Sequence, residues 1–321
     1  MGTKKKSRSI AYSIIITFLL LAVGIVGGSS YMLHYSLIPS NNRGKDEVTS
    51  YKYMYANYPF IKSWMDSLRQ VSALKDTFIT NKAGIRLHAY YVAASHPTPK
   101  TAVIVHGYTD NAIRIMQIGY LYNHDLKYNI LLPDLQYHGR SGGNAIQMGW
   151  KDRLDVMEWM DVANHLYGDS TKMIVHGISM GAATIMMVSG EKQPYYVKCF
   201  VEDCGYTSVW DEFLREIKEQ FNLPAFPLLY TASALCSIKY GWNFKEASAL
   251  NQIKKCHLPM LFIHGDKDAY VPTRMVYQLV KNKPGAKELW LVPDAIHAVS
   301  YKENPKAYTN RVRNFANKYL Q

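Results

Sequence analysis

The sequence predicts an α/β fold, in which helices cover both faces of a mostly parallel sheet. From residue 101 onward, short apolar runs rich in β-branched residues alternate with segments of helical length. Gly, Pro or Asp bounds these runs, as is typical of buried parallel strands in βα units. Hydrophobic residues make up 48% of the 321 residues and charged residues 19%, so the chain can form one large core or two smaller ones.

The N-terminal segment is predicted to be a transmembrane signal-anchor. A basic tail, residues 1–9, precedes an uncharged apolar stretch, residues 10–33. This stretch is long enough to cross a hydrocarbon core of about 30 Å. The positive flank places the N-terminus in the cytoplasm, which leaves a single-pass protein of the cell membrane with its main domain outside. The alternative is a cleaved signal peptide and a secreted protein, but "GGSS" at 27–30 is a poor cleavage site.

A connector, residues 34–76, follows the predicted span. Its polar, breaker-rich beginning leads into "YPFIKSWMDSLRQ", whose apolar residues have helical spacing. We expect this amphipathic helix to pack on the domain that follows rather than to lie on a membrane surface. The main domain is then predicted to occupy residues 77–321.

The elements of this domain follow in order. "DTFIT" and "IRLHAYYVA" alternate on both sides of an Asn/Gly turn, which predicts a hairpin. An aromatic, apolar and helical insertion at about 208–252 is expected to form a cap above the carboxyl end of the sixth strand, where ligands bind in such sheets. The further strands are predicted at 101–107, 128–134, 172–177, 199–203, 259–266 and 287–294, and the helices at 112–126, 151–167, 179–189, 273–282 and 303–320.

The stretch "VHGISMG" places Ser179 between a predicted strand and a predicted helix. Gly177 and Gly181 lie where a side chain would obstruct a sharp strand-to-helix turn. This context is typical of a nucleophile elbow, whereas the bare pattern would also fit a serine in an ordinary turn. The helix N-terminus directs its amides and its positive dipole end at the serine oxygen. We therefore predict that Ser179 is a nucleophile.

A serine nucleophile needs a general base, and in this architecture the base comes last in the chain. His297 follows the last predicted strand and precedes the last helix. His106, His176 and His264 each precede a glycine at a strand end, and they come before or beside the acid in the chain. We therefore predict that His297 is the base and that the other three hold loops around the site.

The acid that orients the base is predicted to be Asp268 in "HGDKDAYVP". It lies beyond the turn after the preceding strand and just before the next helix. Asp266 would then stabilise the turn. Asp203 lies at an earlier strand end, and Asp294 is too close in sequence to His297. The chain order nucleophile, acid, base is thereby complete.

The oxyanion that forms on acyl attack requires N–H donors in place before the reaction. The backbone amide of Met180, directly after the nucleophile, is one predicted donor. The loop "HGYTDN" after the third strand offers the amide of Tyr108 as the second.

Together, "HGYTDN", "DLQYHGRSGG", "GISMG", "HGDKDAYVP" and "IH" resemble the α/β-hydrolase superfamily over about residues 75–320. Within that superfamily the chain is similar to membrane-anchored, cell-surface serine hydrolases of Gram-positive bacteria, and more distantly to mammalian membrane-bound hydrolases with the same elbow. This resemblance implies the α/β-hydrolase fold and an acyl-serine mechanism. It assigns Ser179 as nucleophile, His297 as base, Asp268 as acid, and the Tyr108 and Met180 amides as the oxyanion hole.

Three functions remain open. The first is an esterase acting on a small acyl ester; the second is a peptidase, thioesterase or amidase with the same triad, because only the leaving group differs. The third is a catalytically silent, membrane-tethered binding protein. The chain has no propeller-like segment of the kind that prolyl peptidases carry, which favours the esterase. Two roles are open for the apolar cap residues, which either form an acyl pocket or, as we expect for most of them, pack the cap on the sheet: Phe213, Phe221, Leu223, Phe226, Leu228, Leu229 and Tyr230.

Composition limits the partners. Of the formal net charge of +12, four positive charges lie in residues 1–8, so the remainder carries +8. No clustered basic patch with interleaved aromatics supports nucleic-acid binding. No metal or organic cofactor is expected, because the triad needs none. The four cysteines have no metal-type spacing, and the sequence leaves their pairing and the oligomeric state open. We expect removal of residues 1–34 to leave a folded, active domain.

Overall fold

A central sheet of eight strands organises the part of the chain that the structure describes. This structure, a computed structural model, describes residues 2–40 and 46–320, and side chains from residue 10 onward. The side chains of the basic tail and residues 41–45 of the connector therefore lie outside the described residues. The strands are β1 (Lys75–Thr80), β2 (Arg86–Val92), β3 (Lys100–Val105), β4 (Asn129–Pro133), β5 (Lys172–Ile178), β6 (Val197–Asp203), β7 (Met260–Gly265) and β8 (Lys287–Val292).

The strand order is β1-β2-β4-β3-β5-β6-β7-β8. β1 and β2 form the predicted antiparallel hairpin, and β2 pairs antiparallel with β4. All the other neighbours pair in parallel. The sheet is therefore mostly parallel, as the sequence predicts, and the carboxyl ends of its parallel strands meet at one edge.

Helices lie on both faces of this sheet. Along β3, for example, Val103 and Ile104 point to opposite sides and belong to two separate buried clusters. The strands are apolar on both faces because both are covered. The α-helices are α1 (Gly2–Leu37), α2 (Glu47–Asn57), α3 (Lys62–Gln70), α4 (Met116–Tyr120), α5 (Asp152–Leu166), α6 (Met180–Ser189), α7 (Val209–Phe221), α8 (Leu228–Tyr240), α9 (Ala249–Ile253), α10 (Arg274–Asn282), α11 (Ser300–Glu303) and α12 (Pro305–Tyr319).

One predicted helix, 112–126, is wrong as a single element. The structure divides it into a 3₁₀ turn, the short α4 and a π-helical turn at Leu121–Asp125. The side-chain amide of Asn123 donates to the carbonyl oxygens of Ala93 and Tyr128. These tertiary hydrogen bonds stabilise an irregular backbone that the apolar spacing could not reveal. The other predicted helices in the domain agree with the structure to within about two residues at most ends.

The insertion after β6 forms the predicted helical cap. Ser208 caps the N-terminus of α7, where its side chain accepts a hydrogen bond from the amide of Asp211. α8 follows after a short irregular segment. Both helices lie beyond the carboxyl end of β6, above the edge at which the parallel strands end.

The connector packs on the domain, as the amphipathic spacing predicts. Trp64 and Met65 of α3 are buried among residues of one face of the sheet. The indole Nε1 of Trp64 donates to Asn123 Oδ1 at 3.3 Å.

All four cysteines are buried free thiols.

The N-terminal helix α1 does not end where the predicted span ends. It continues to Leu37, four residues beyond residue 33. Its apolar portion, Ile10–Leu37, has a mean hydropathy of 2.5, as is typical of a membrane span or a signal sequence. Side chains from residue 10 to residue 24 are exposed, whereas Ser29, Leu33 and Leu37 are buried against the domain. This spacing of four places one helical face on the protein.

The contact between α1 and the cap is close. Ser29 Oγ donates to the carbonyl oxygen of Leu228 at 3.0 Å, and a Cβ at Gly28 would lie 3.4 Å from a methyl group of Leu228. The carbonyl oxygen of Leu37 accepts a hydrogen bond from the amide of Ile146. Deleting residues 1–34 would remove Ser29 and Leu33 from this packing, and that the fragment stays folded and active remains a prediction.

Candidate active site

Ser179 lies in the turn between β5 and α6, with φ 57° and ψ −118°. This backbone conformation is unusual for a residue with a side chain, and it is the strained geometry expected of a nucleophile elbow. A Cβ at Gly177 would lie 2.2 Å from the carbonyl oxygen of Gly181. A Cβ at Gly181 would lie 2.1 Å from the carbonyl oxygen of Val105. Both glycines are therefore required by close backbone contacts, as the sequence pattern predicts.

The structure brings the three predicted triad residues together. Ser179 Oγ lies 2.8 Å from His297 Nε2. His297 Nδ1 lies 2.7 Å from Asp268 Oδ2. The second carboxylate oxygen of Asp268 accepts a hydrogen bond from the amide of Val271 at 2.8 Å. The Asp268 side chain is fully buried, and that of His297 is 20% exposed. This arrangement can pass a proton from the hydroxyl to the imidazole while the carboxylate fixes the ring.

The alternative acids do not contact His297 through a described hydrogen bond. Asp266 accepts from the amide of Asp294, and Asp294 forms an ion pair with Lys267 at the surface. Asp203 is buried and accepts a hydrogen bond from the Tyr308 hydroxyl at 2.9 Å. Burial raises the pKa of Asp203 to about 7. Its carbonyl oxygen accepts the amide N–H of Ser179, so this residue supports the elbow through its backbone.

The other histidines hold surrounding segments. His106 Nε2 accepts the amide N–H of Leu135, so it links two loops at the edge of the sheet. His176 lies between the hydroxyls of Tyr122 and Tyr308, and burial lowers its pKa to about 3.

His264 lies at the end of β7, beside the predicted acid. Its Nε2 bonds the carbonyl oxygen of Val271 at 2.9 Å and lies 3.4 Å from Asp268 Oδ2. Because a carbonyl oxygen can only accept, His264 Nε2 donates to it, and burial lowers the pKa of His264. This ring therefore fixes the loop that carries Asp268.

The predicted oxyanion loop is adjacent to the elbow. A Cβ at Gly107 would lie 3.6 Å from the Cβ of Ser179. Tyr108 and Met180 line the same cavity as Ser179. In the described parts of the chain, no hydrogen bond engages the amide of either residue, so both amides can donate to a bound oxyanion.

The cavity in front of Ser179 has a volume of about 450 Å³, which is within the usual size range of small-molecule sites. Phe213 and Phe221 of α7 and Leu229 of α8 line it, as the predicted acyl pocket requires. The other predicted cap residues do not line the cavity, because their side chains pack on α1 or are exposed at the surface. Leu228 packs on α1, and Leu223, Phe226 and Tyr230 are 39%, 73% and 48% exposed.

Sequence reasoning missed the wall opposite the cap. Residues 31–36, at the end of α1, line the cavity. The Tyr108 hydroxyl donates to the carbonyl oxygen of Ser36 at 2.7 Å. The Tyr35 ring packs edge-on against Phe221 at 5.9 Å between centroids. No local sequence pattern predicts these contacts, because they join segments that are far apart in the chain.

Two further residues near the triad were also missed. The ring of Tyr270 lies 4.9 Å from that of His297 and packs under the guanidinium of Arg215. Glu212 lines the cavity and pairs with Arg215 at 2.9 Å, while its second oxygen has no partner in the described residues. Burial raises the pKa of Glu212 to about 7.

One group of potential metal ligands lies at this site in the described residues. Cys204, Asp268 and His297 offer ligand atoms within 4.8 Å of one another. Burial raises the pKa of the Cys204 thiol, and a neutral thiol is a poor ligand. The hydrogen bond between Asp268 and His297 accounts for the other two.

Comparisons with known proteins show the family and the fold of this chain. The profile of the prolyl oligopeptidase family matches residues 136–321. An uncharacterized protein of Bacillus subtilis, YqkD, is 30% identical over 242 residues, which are 75% of this chain and 79% of that protein.

Solved structures share the fold. An esterase of Pyrococcus furiosus superposes with a TM-score of 0.64 at 23% identity, covering 79% of this chain and 94% of its own. Est1E of Butyrivibrio proteoclasticus, solved with ferulic acid bound, gives 0.60 at 19% identity, covering 76% and 99%. At these identities the likeness extends to the fold. The chain belongs to the prolyl oligopeptidase family of hydrolases, within the α/β-hydrolase superfamily.

Proposed function

We propose that this protein hydrolyses an acyl ester through an acyl-enzyme intermediate on Ser179. The observation that carries the proposal is the continuous chain of hydrogen bonds from Ser179 Oγ through His297 to Asp268, in the wall of a mostly apolar cavity. This combination provides a nucleophile, a base of fixed orientation and space for an acyl chain.

The proposed reaction follows from the positions of these groups. Ser179 Oγ attacks the ester carbonyl carbon while His297 Nε2 takes the hydroxyl proton. The amides of Tyr108 and Met180 donate to the oxyanion of the tetrahedral intermediate. Collapse breaks the bond to the alcohol, which leaves with the proton from His297. Water then attacks the acyl-serine with His297 as base, and the carboxylic acid is released.

The lining of the cavity favours an ester with an apolar acyl group. Apolar and aromatic side chains from α1, α7 and α8 face the space in front of Ser179. An acyl chain loses no hydrogen bonds on entering such a space. A peptide segment would have to bury amide groups that hydrogen-bond to water outside, which costs free energy unless new partners replace the water.

Peptide-bond hydrolysis is the second candidate. The match to the prolyl oligopeptidase family favours it, and the same triad would cleave either bond. Glu212 lies in the cavity wall, and its second carboxylate oxygen, without a partner among the described residues, can accept from a positively charged or N–H group of a peptide.

We also propose that the protein is held at the cell membrane by α1. α1 is long and apolar enough to span a bilayer, and its basic tail would lie in the cytoplasm by the positive-inside rule. The hydrolase domain would then face the outside of the cell membrane. A secreted form, with the apolar segment removed, is the alternative.

A fluorophosphonate probe tests the nucleophile on the full chain in detergent. We expect wild type to be labelled and Ser179→Ala to remain unlabelled. Ser170→Ala, at an exposed position, serves as the control and should be labelled like wild type. Equal labelling of the Ser179 variant, or none of wild type, would refute the proposal. Rates on p-nitrophenyl esters and on aminoacyl anilides then distinguish the two bond types.

A further inference from the structure

The end of α1 is both the last part of an apolar helix and a wall of the cavity. Tyr31, Leu33 and Tyr35 line the space in front of Ser179. The cap helix α7 forms the facing side, and the hydroxyl of Tyr35 lies 3.4 Å from Gln220 on it. A helix that only anchors a domain needs no contact with the active site. Here the contact is direct.

The position of this wall relative to a bilayer follows from helix geometry. About twenty helical residues cover a hydrocarbon core of about 30 Å. A span that begins at Ile10 therefore ends near Ser29, the residue that bonds the start of α8. Residues 31–36 extend roughly 3–10 Å beyond that boundary. Because the headgroup region is roughly 5–8 Å thick on each side, a span that begins at Ile10 would place the cavity at headgroup level.

The cap presents apolar side chains at the same level. Phe226, two residues before α8, is 73% exposed, and its ring packs edge-on against the half-exposed Tyr230 at 5.8 Å. Tyr31, 62% exposed, stacks on Tyr35 at 6.4 Å between centroids. Tyrosines are enriched at the membrane–water interface, where the apolar ring and the polar hydroxyl are both accommodated.

We propose that the substrate is an amphiphilic acyl ester resident in the bilayer, which enters the cavity from the membrane between α1 and the cap. The apolar surface formed by Phe226 and its neighbours on the cap rests on the outer lipid leaflet. The acyl chain passes along the side chains of Tyr31, Leu33 and Phe221, while the ester group reaches Ser179. This inference rests on the proposed ester hydrolysis and on retention of α1 as an anchor.

The test uses the full chain in vesicles of phosphatidylcholine and phosphatidylglycerol. One substrate, dioleoylglycerol, resides in the bilayer, and the other, p-nitrophenyl butyrate, is dissolved in water. The variant is Phe226→Glu, and the matched control is Tyr195→Glu, because Tyr195 is also 73% exposed but lies just before β6, at the opposite edge of the sheet. α1 keeps every variant on the vesicle, so a difference in rate reports substrate transfer.

We expect Phe226→Glu to lower the rate on dioleoylglycerol by roughly tenfold or more, because a charge replaces an interfacial aromatic. Its rate on p-nitrophenyl butyrate should stay within about twofold of wild type, which also shows that the variant is folded. Tyr195→Glu should change neither rate. Leu223→Glu, at an exposed position in the same segment between α7 and α8, should repeat the selective loss.

Each other outcome is decisive. Hydrolysis of p-nitrophenyl butyrate without hydrolysis of dioleoylglycerol by wild type would overturn the membrane substrate and leave the ester proposal standing. Equal rates for Phe226→Glu and Tyr195→Glu on dioleoylglycerol would do the same. Failure on both esters would overturn the proposed function itself, and this inference with it.

Discussion

Replacing Asp268 by Asn tests how the acid controls the base. In the structure, one carboxylate oxygen accepts the amide N–H of Val271 and the other faces His297 Nδ1 at 2.7 Å. An asparagine that keeps the first hydrogen bond must direct its NH₂ group at His297. The imidazole can accept that bond only with Nδ1 unprotonated, so its proton moves to Nε2. Nε2 can then no longer take the proton of Ser179.

The opposite amide orientation does not restore the base. It would place the NH₂ group against the N–H of Val271, two donors about 2.8 Å apart. The wrong tautomer is therefore held in place, and we expect kcat to fall by about 10⁴ with little change in KM. This loss corresponds to about 5–6 kcal/mol of transition-state stabilisation, at about 1.4 kcal/mol for each factor of ten.

The assay is p-nitrophenyl butyrate hydrolysis by the full chain in detergent, with thermal unfolding as a check of the fold. Asp266→Asn is the matched control, because Asp266 is exposed and its side chain accepts the amide N–H of Asp294, with no hydrogen bond to His297 among the described residues. It should stay within about twofold of wild type. If Asp268→Asn keeps more than about a tenth of the wild-type kcat, or if the control loses as much, the tautomer argument is wrong.

Three further changes test other contacts. Gly181→Ala would place a Cβ 2.1 Å from the carbonyl oxygen of Val105, and the displaced elbow should reduce fluorophosphonate labelling by about 100-fold; normal labelling would contradict the steric argument. Leu37→Ala should lower the free energy of unfolding by about 2–5 kcal/mol, whereas Leu166→Ala, at a position 42% exposed, should lower it by far less. Equal melting temperatures of the two variants in detergent would show that the contact of α1 with the domain does not stabilise the fold. Burial raises the pKa of Asp203 from 3.8 to about 7, so its contribution to stability is full below pH 3.8 and is lost as pH rises through about 7. The melting temperature of Asp203→Asn relative to wild type should therefore rise from pH 5 to pH 8. A difference that does not change with pH would refute the raised pKa.

Much of the site could be predicted because chain order constrains an α/β sheet. Parallel strands place their carboxyl ends at one edge, so residues directly after strands converge there whatever their separation in sequence. Ser179, Asp268 and His297 each follow such a strand, and the structure brings them within hydrogen-bond distance. Gly177 and Gly181 carried the local signal, since only a sharp turn requires both.

The contacts of the cavity wall could not be predicted in the same way. Tyr35 meets Phe221 and Gln220 across the cavity, and these pairs are separated by more than 180 residues. The sequence pattern of α1 carries no information about α7, and that of α7 carries none about α1. The cap residues show the same limit: Phe213 and Phe226 are equally aromatic in the sequence, yet one is buried at the cavity and the other is 73% exposed.

The N-terminal helix shows why hydropathy alone misplaces a boundary. Lipid tails and a protein core are both apolar, so the residues from Ile10 to Leu37 form one continuous signal although their surroundings differ. The first part is exposed around its whole circumference, whereas the last part buries one face through Ser29, Leu33 and Leu37. A flexible linker after the span would let the domain move away from the membrane. If α1 spans the bilayer as proposed, its continuation into the domain would fix the depth and orientation of Ser179 relative to the lipid surface, which the proposed bilayer substrate requires.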